Sequence, residues 1–331
     1  MTMGKTASMG DLFGGKAAGG WLNLPRVGTD SLADVDIGVI GIGSATPYPV
    51  GSYCHDAPDA IRGARSWPSI LDQHDFDLFD VTPSAGVIPP GVRPADLGNL
   101  DVVADVAPEI AAENRRRIRE AITTMLDAGT IPFVLGGDDS VPIPVLESYC
   151  GFADGPISIL QIDAHIDWRD EVDGEMQGLS SNMRRASEMA HVGSIVQLAA
   201  RGIGSARKQE VEAALDYGVA FHTMRRLREA GGIERAIADL PEGVPVYVAL
   251  DVDSLDPAVM PAVIGAAQGG LDYWQMMEIF EAVAARAPIC GFNMVEFMPA
   301  RDANGQGALM ASRLGLSMLG LMARQMARKA A

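Results

Sequence analysis

Apolar residues in this chain follow two rhythms. Runs dominated by Val, Ile and Leu stand at Val35–Ile42, Ile131–Leu135, the opening of Ile157–Asp170, Ile195–Ala200, Val244–Leu250 and Ile289–Glu296. Such runs, with little polar alternation, predict strands buried on both faces, as in a parallel sheet. Phe76–Val81 and Val219–His222 read as shorter strands. Elsewhere apolar positions recur every third or fourth residue. That spacing predicts helices over Pro58–Ala64, Ala107–Ala128, Pro142–Tyr149, Ser181–His191, Lys208–Tyr217, Arg225–Leu240, Leu271–Ala285 and Gly307–Lys329. Pro83–Leu100, with several Pro and Gly, reads as a surface connection, and Gly43–Asp59 as a loop long enough to shape a binding site. The alternation of strand and helix predicts an α/β fold: one doubly wound domain on a mainly parallel sheet, with ligands at the carboxyl ends of its strands. The domain spans residues 33–331, preceded by a flexible N-terminal arm over 1–32 that is Gly-rich and lacks an apolar core.

Three of these strand ends carry acids. The run ISILQI leads into Asp163, His165 and Asp167, and residues two apart on a strand share a face, so this spacing can aim two carboxylates and an imidazole at one point. VPVYVAL runs into Asp251 and Asp253, and Ile131–Leu135 into Gly136-Gly137-Asp138-Asp139-Ser140. A solvated acidic loop is the plain alternative for any one segment. For all three together, a cluster of carboxylates cannot ionise side by side without compensating positive charge. Arg169 is the chief basic residue nearby and cannot neutralise the set, which makes divalent metal the natural counter-charge. An Asp-rich set with one His suits Mn2+ or Ni2+, whereas a closed zinc site would call for thiolates.

Composition narrows the partners. A formal charge of -17 and a pI near 4.6 disfavour nucleic acid and anionic membrane and favour a small cationic ligand. Cys54, Cys150 and Cys290 are odd in number and far apart, so neither a disulfide framework nor a thiolate site is expected, and a reducing, cytoplasmic setting is. No apolar run is long enough to span a bilayer. Gly41 and Gly43 supply only part of a dinucleotide fingerprint, with Thr46 where its third Gly belongs.

Gly136-Gly137-Asp138-Asp139-Ser140, Asp163-Ala164-His165-Ile166-Asp167 and Asp251-Val252-Asp253-Ser254-Leu255-Asp256-Pro257 together resemble the three metal motifs of the ureohydrolase family, the arginases, agmatinases and their guanidino-acid relatives. Ala57-Pro58-Asp59-Ala60-Ile61-Arg62, Asp96-Leu97-Gly98-Asn99 and Val295-Glu296-Phe297-Met298-Pro299 extend the likeness, which covers about Ala33 to Leu321. It implies a three-layer α/β/α fold, a centre of two divalent ions, and attack of a metal-held hydroxide on a guanidinium carbon to give urea, or a urea-like product, and an amine. It also implies a trimer or hexamer. By the same resemblance Asp163 and Asp251 bridge the ions, His165 and Asp253 hold one, Asp139 and Asp167 hold the other, and Glu296 orients the guanidinium. Asp167 and Glu296 are then the catalytic residues.

Three departures narrow the substrate. Asp139 stands where the family usually has His. Gln177-Gly178 replaces a His-Gly pair thought to shuttle protons, so Gln177 is left as a substrate contact, with His55 in the first long loop as another. Pro261–Gly270 lacks the substrate-loop pattern of agmatinases. These features are similar to a divergent agmatinase-like branch acting on guanidine, guanidino acids or biguanides such as metformin, in homo- or heterohexamers with a paralogous subunit. A metal-poor, non-catalytic partner subunit is the alternative from a different class. Among the remaining polar residues, Arg184 and Arg185 could meet a substrate carboxylate or an intersubunit acid, and Trp168 could pack beneath the metal motif or wall the pocket. His74, His191 and His222 read as surface or packing residues, Cys54 as a passive small residue, and Met310–Met326 as a buried or interfacial helix stripe.

Overall fold

The computed structural model describes residues 20–46, 48–64, 76–77, 82–83 and 87–330. Eight strands form one sheet in the order β4-β1-β5-β10-β9-β6-β7-β8, every neighbouring pair parallel. They are β1 Ile37–Ile42, β4 Pro94–Asn99, β5 Ile131–Gly136, β6 Ile157–Ile162, β7 Val192–Leu198, β8 Ala220–His222, β9 Val246–Asp251 and β10 Ile289–Val295. A separate two-stranded ladder pairs β2 Phe76–Asp77 with β3 Thr82–Pro83. The rest of the strand expected over Phe76–Val81 lies outside the described residues, as does His74.

Successive residues of each strand enter two different apolar layers, as the period of two requires. Val39, Phe133, Leu160, Val248 and Phe292 face one core, closed by helices Tyr273–Arg286 and Gln306–Ala330. Ile40, Val134, Ile159, Ala249 and Val295 face the other, closed by helices Pro108–Asp127, Pro142–Glu147 and Lys208–Tyr217. Helices therefore cover both faces, the three-layer arrangement. Phe133 and Phe292 lie 4.7 Å apart between ring centroids on neighbouring strands. Helix Tyr273–Arg286 starts where its sequence says it should: Gln275 N–H donates to the Asp272 carboxylate at 2.9 Å while the Gln275 side chain accepts from Asp272 N–H at 3.1 Å.

Elsewhere the structure departs from the hydropathy pattern. Pro83–Leu100 contains the edge strand β4, hidden because PADLGN has almost no apolar signal. Its Asp96 is fully buried and accepts from Trp21 N–H at 2.6 Å, from the Arg62 side chain at 3.1 Å and from Arg26 at 3.2 Å. That cluster pulls the strand into the sheet and pins the chain before it. Trp21 and Leu24 are accordingly buried in the core, inside the stretch read as an arm. The helix expected over Arg225–Leu240 is two, Met224–Leu227 and Gly232–Ala238, broken at Gly231 with φ +67°. A Cβ on Gly232 would lie 2.3 Å from the Arg226 carbonyl oxygen, too close for a continuous helix of larger residues. The helix after the central strand is short, Asn182–Ser187.

What matters for chemistry is that β5, β10, β9 and β6 are consecutive in the sheet. Their carboxyl ends are the ones that carry Asp139, Glu296, Asp251 with Asp253, and Asp163 with His165 and Asp167.

Candidate metal centre

Adjacent parallel strands run about 4.8 Å apart, so side chains at neighbouring strand ends fall within reach of a common ion. Two groups of ligand atoms form here, each with all members within 4.8 Å of one another: Asp163, His165 and Asp253, and Asp139, Asp163 and Asp251. Asp163 belongs to both. Asp167 stands beside them, because Gln161 Nε2 donates to its carboxylate and to that of Asp163, each at 2.8 Å. All six expected ligand positions therefore meet in one place.

Backbone donors fix three of the carboxylates. Asp163 accepts from His165 N–H at 2.6 Å, Asp251 from Asp253 N–H at 2.7 Å, and Asp253 from Ala164 N–H at 3.1 Å. The other Asp253 oxygen lies 3.0 Å from His165 Nδ1. Gly137 lets β5 pass the first loop, since a Cβ there would sit 2.0 Å from the Ser44 carbonyl oxygen. Asp138, next in the motif, is occupied elsewhere: it accepts from Thr46 N–H at 2.6 Å and from the Ser140 hydroxyl at 2.5 Å. Asn182 Nδ2 donates to the Asp139 carboxylate and, at 3.2 Å, to its carbonyl.

The electrostatics favour cations. Burial first, then neighbouring carboxylates, hold the carboxyls of Asp139, Asp167 and Asp251 well above the usual Asp range. Burial and Asp163 likewise raise Asp253. For Asp163 burial acts in the same sense, but hydrogen bonds from His165 and Asp167 outweigh it and keep this carboxyl below its ordinary value. Burial opposes charge on His165, yet its bonds to Asp163 and Asp253 push it up to about 11. Without ions the cluster must take up protons. A set of hard oxygen donors with one imidazole, buried and short of positive charge, fits two divalent ions.

Glu296 sits directly after β10, buried beside the cluster, and accepts from Asp139 N–H and from the Tyr53 hydroxyl, both at 2.9 Å. Burial and Asp138 raise its carboxyl. A cavity of about 310 Å³ opens over Asp139, His165, Asp167, Asp251, Asp253 and Glu296. Its lining also includes Tyr48, Trp168, Arg169, Ser180 and Glu210, with Arg169 Nε 3.4 Å from Glu210.

Two expected substrate contacts are not on this wall. His55 Nδ1 lies 2.7 Å from the Gly43 carbonyl oxygen, which ties the ring to the loop backbone, and Gln177 also lies off the lining. Arg184 and Arg185 pair with Asp170 and Glu188 and are not in the lining, whereas Arg169, paired with Glu210, is. Residues the sequence reasoning missed are Gln161, Gln197 and Asn182. Gln161 had a usable signal, because it precedes Asp163 by two on the same strand and so shares its face. Asn182 had none, since nothing in the pattern ties it to Asp139.

Comparison with known proteins agrees with this geometry. Residues 35–320 match the family model described as the arginase family. The human mitochondrial guanidino acid hydrolase is 29% identical over 78% of this chain and 72% of that protein. The N(1)-aminopropylagmatine ureohydrolase of Thermus thermophilus is 33% identical over 80% of this chain and 86% of its own length. Among solved structures, proclavaminate amidino hydrolase from Streptomyces clavuligerus superposes with a TM-score of 0.77 at 21% identity, covering 93% of this chain and 97% of that one. With four neighbouring strand ends converging on one acid cluster and a family model matched across nearly the whole described domain, the chain belongs to the arginase family of ureohydrolases.

Proposed function

We propose that this chain hydrolyses a C–N bond of a small guanidino compound, and that a guanidino acid with a short tail is the substrate class. One observation carries the reading: the lining of a single cavity includes a buried carboxylate, Glu296, beside the ligand cluster and an arginine, Arg169, whose Nε lies 3.4 Å from Glu210. A guanidinium group fits the first and a carboxylate tail the second, through charge-assisted hydrogen bonds. Guanidine itself and the biguanide metformin use only the inner half.

Asp139, Asp163, His165, Asp167, Asp251 and Asp253 would hold two divalent ions, Mn2+ or Ni2+, which would supply Lewis acidity and a nucleophilic water near neutral pH. The protein's residues do the rest. Glu296, fixed by Tyr53 and by Asp139 N–H, accepts from two guanidinium nitrogens and turns the guanidinium carbon toward the ligand cluster. Asp167, in the cavity lining, takes a proton from the attacking water as its oxygen bonds to the guanidinium carbon and delivers it to the departing nitrogen as the C–N bond breaks, leaving urea and an amine. Cys54, Cys150 and Cys290 are not joined in disulfides, which fits a reducing, cytoplasmic setting.

The test is urea release by protein loaded with Mn2+ or Ni2+, alone and with a paralogous chain, from guanidinoacetate, guanidinopropionate, guanidinobutyrate, guanidine, agmatine and dimethylbiguanide. Glu296→Gln should lower kcat/KM at least about a hundredfold with metal content unchanged. Arg169→Met should erase the preference for acids over guanidine. No urea from any of these compounds by protein holding two ions would refute the proposal.

A further inference from the structure

Beneath the ligand cluster lies a line of buried side chains that the family motifs do not include. Gln161 Nε2 donates to Asp163 Oδ2 and to Asp167 Oδ2, each at 2.8 Å. Its own Oε1 accepts from Nε2 of Gln197, the residue in register with it on β7. Gln197 Nε2 also donates to the Ile166 carbonyl at 2.9 Å, and Gln197 Oε1 accepts from the Trp168 indole N–H at 2.8 Å. Gln161 and Gln197 are each 1% exposed and Trp168 is 2% exposed.

We propose that Gln161 is a positioning residue for the metal centre: its amide, locked in one orientation through Gln197 and Trp168, braces Asp163 and Asp167 at the spacing an ion between them requires. This rests on the metal-centre reading above.

The orientation follows from groups that cannot exchange roles. An indole N–H only donates and a backbone carbonyl only accepts, so Trp168 and Ile166 independently dictate which end of the Gln197 amide is oxygen and which is nitrogen. Gln197 then presents N–H to Gln161, whose oxygen must turn toward it. Both N–H bonds of Gln161 are thereby aimed at the two carboxylates. A flipped amide would set oxygen against oxygen at both, at a side chain only 1% exposed. Asp163 is shared by both ligand groups, and Asp167 sits at φ +53°, so Asp167 is the residue most in need of an external brace. Outer hydrogen-bond partners of metal ligands typically change metal affinity by about 10- to 100-fold when removed.

Gln161→Met keeps the volume and removes both donors. Calorimetric titration of chelator-stripped protein with Mn2+, with elemental analysis of the product, should show one of the two binding events weakened at least about tenfold and the other held within about threefold. Gln197→Met, which frees Gln161 to rotate, should weaken the same event by less. The melting temperature of the metal-free variants should stay close to that of the parent. Two events of unchanged affinity in Gln161→Met would overturn the relay alone. So would a loss of both events that follows a lower metal-free melting temperature in both variants, the mark of a general packing role. A parent protein that takes up no divalent ion would overturn the metal centre and the relay with it.

Discussion

Replacing Asp251 with Asn should make the metal-free protein more stable and, in the same molecule, destroy metal binding and activity. The carboxylates of Asp139, Asp163 and Asp251 approach within 4.8 Å of one another, and Asp251 is 4% exposed. At an effective dielectric of about 20, two like charges that close repel by about 3.5 kcal/mol, and Asp251 has two such neighbours. Protonating Asp251 instead caps the penalty, because holding a proton at pH 7 costs an ordinary Asp, with pKa about 3.9, about 4 kcal/mol. Asn keeps the oxygen that accepts from Asp253 N–H at 2.7 Å, fills the same space and carries no charge. Urea unfolding of chelator-treated protein at pH 7 should therefore show a gain of about 2–4 kcal/mol for the variant. With an ion at a hundred times its Kd the parent gains about 2.7 kcal/mol per site, and the variant gains little or nothing. A metal-free variant no more stable than the parent would refute the claim that the acids are in electrostatic conflict until ions arrive.

Tyr53→Phe removes the hydroxyl that donates to buried Glu296; a hydrogen bond to a charged group is worth about 1.5–3 kcal/mol, so kcat/KM should fall roughly 10- to 150-fold in steady-state assays at saturating metal. The metal-free protein should lose stability as pH rises from about 5 to 8, because the raised carboxyls of Asp139, Asp167 and Asp251 and the imidazole of His165, pushed up to about 11, all bind more protons folded than unfolded over that interval. Melting temperatures with chelator and with Mn2+ should diverge over the same pH range, and a gap that stays constant would contradict this. Asp96→Asn leaves Arg62 buried without its counter-charge and should cost about 3–5 kcal/mol by urea unfolding, while activity per folded molecule stays near the parent value.

What the sequence disclosed depended on where hydropathy and chemistry coincide. The central strands were legible because they are buried on both faces, and their closing acids were legible because strand parity puts every second residue on one side. Edge strand β4 was illegible for the complementary reason: it is held by the Asp96 carboxylate and its donors, and period-based reading weighs a polar anchor as surface. Trp21 went unrecognised in its Gly-rich surroundings because the partner that buries it lies far off, with its indole N–H on Ser312 at 3.1 Å. Two expected substrate contacts lie outside the cavity lining for a geometric cause. His55 and Gln177 were placed by sequence neighbourhood, yet a loop can turn a side chain into its own backbone, as His55 does toward Gly43, and single-residue direction carries no periodic signature.

Backbone strain marks the same centre independently of any motif. Among non-glycine residues in the left-handed region are Asp167 at φ +53° and Glu296 at φ +68°, neither able to adopt it freely. Such a conformation costs of order 1–3 kcal/mol and persists only where surrounding contacts over-determine it. For Asp167 those contacts are Gln161 Nε2 on its carboxylate and Arg184 N–H on its carbonyl at 3.2 Å, which turn the chain back after His165 so that a second carboxylate from one loop reaches the cluster. For Glu296 they are its own N–H on the Gly137 carbonyl and Asp139 N–H on its carboxylate, both at 2.9 Å, which stitch the end of β10 to the end of β5. Of the seven non-glycine residues in that region among the described residues, these two are the ones proposed for proton transfer and guanidinium orientation.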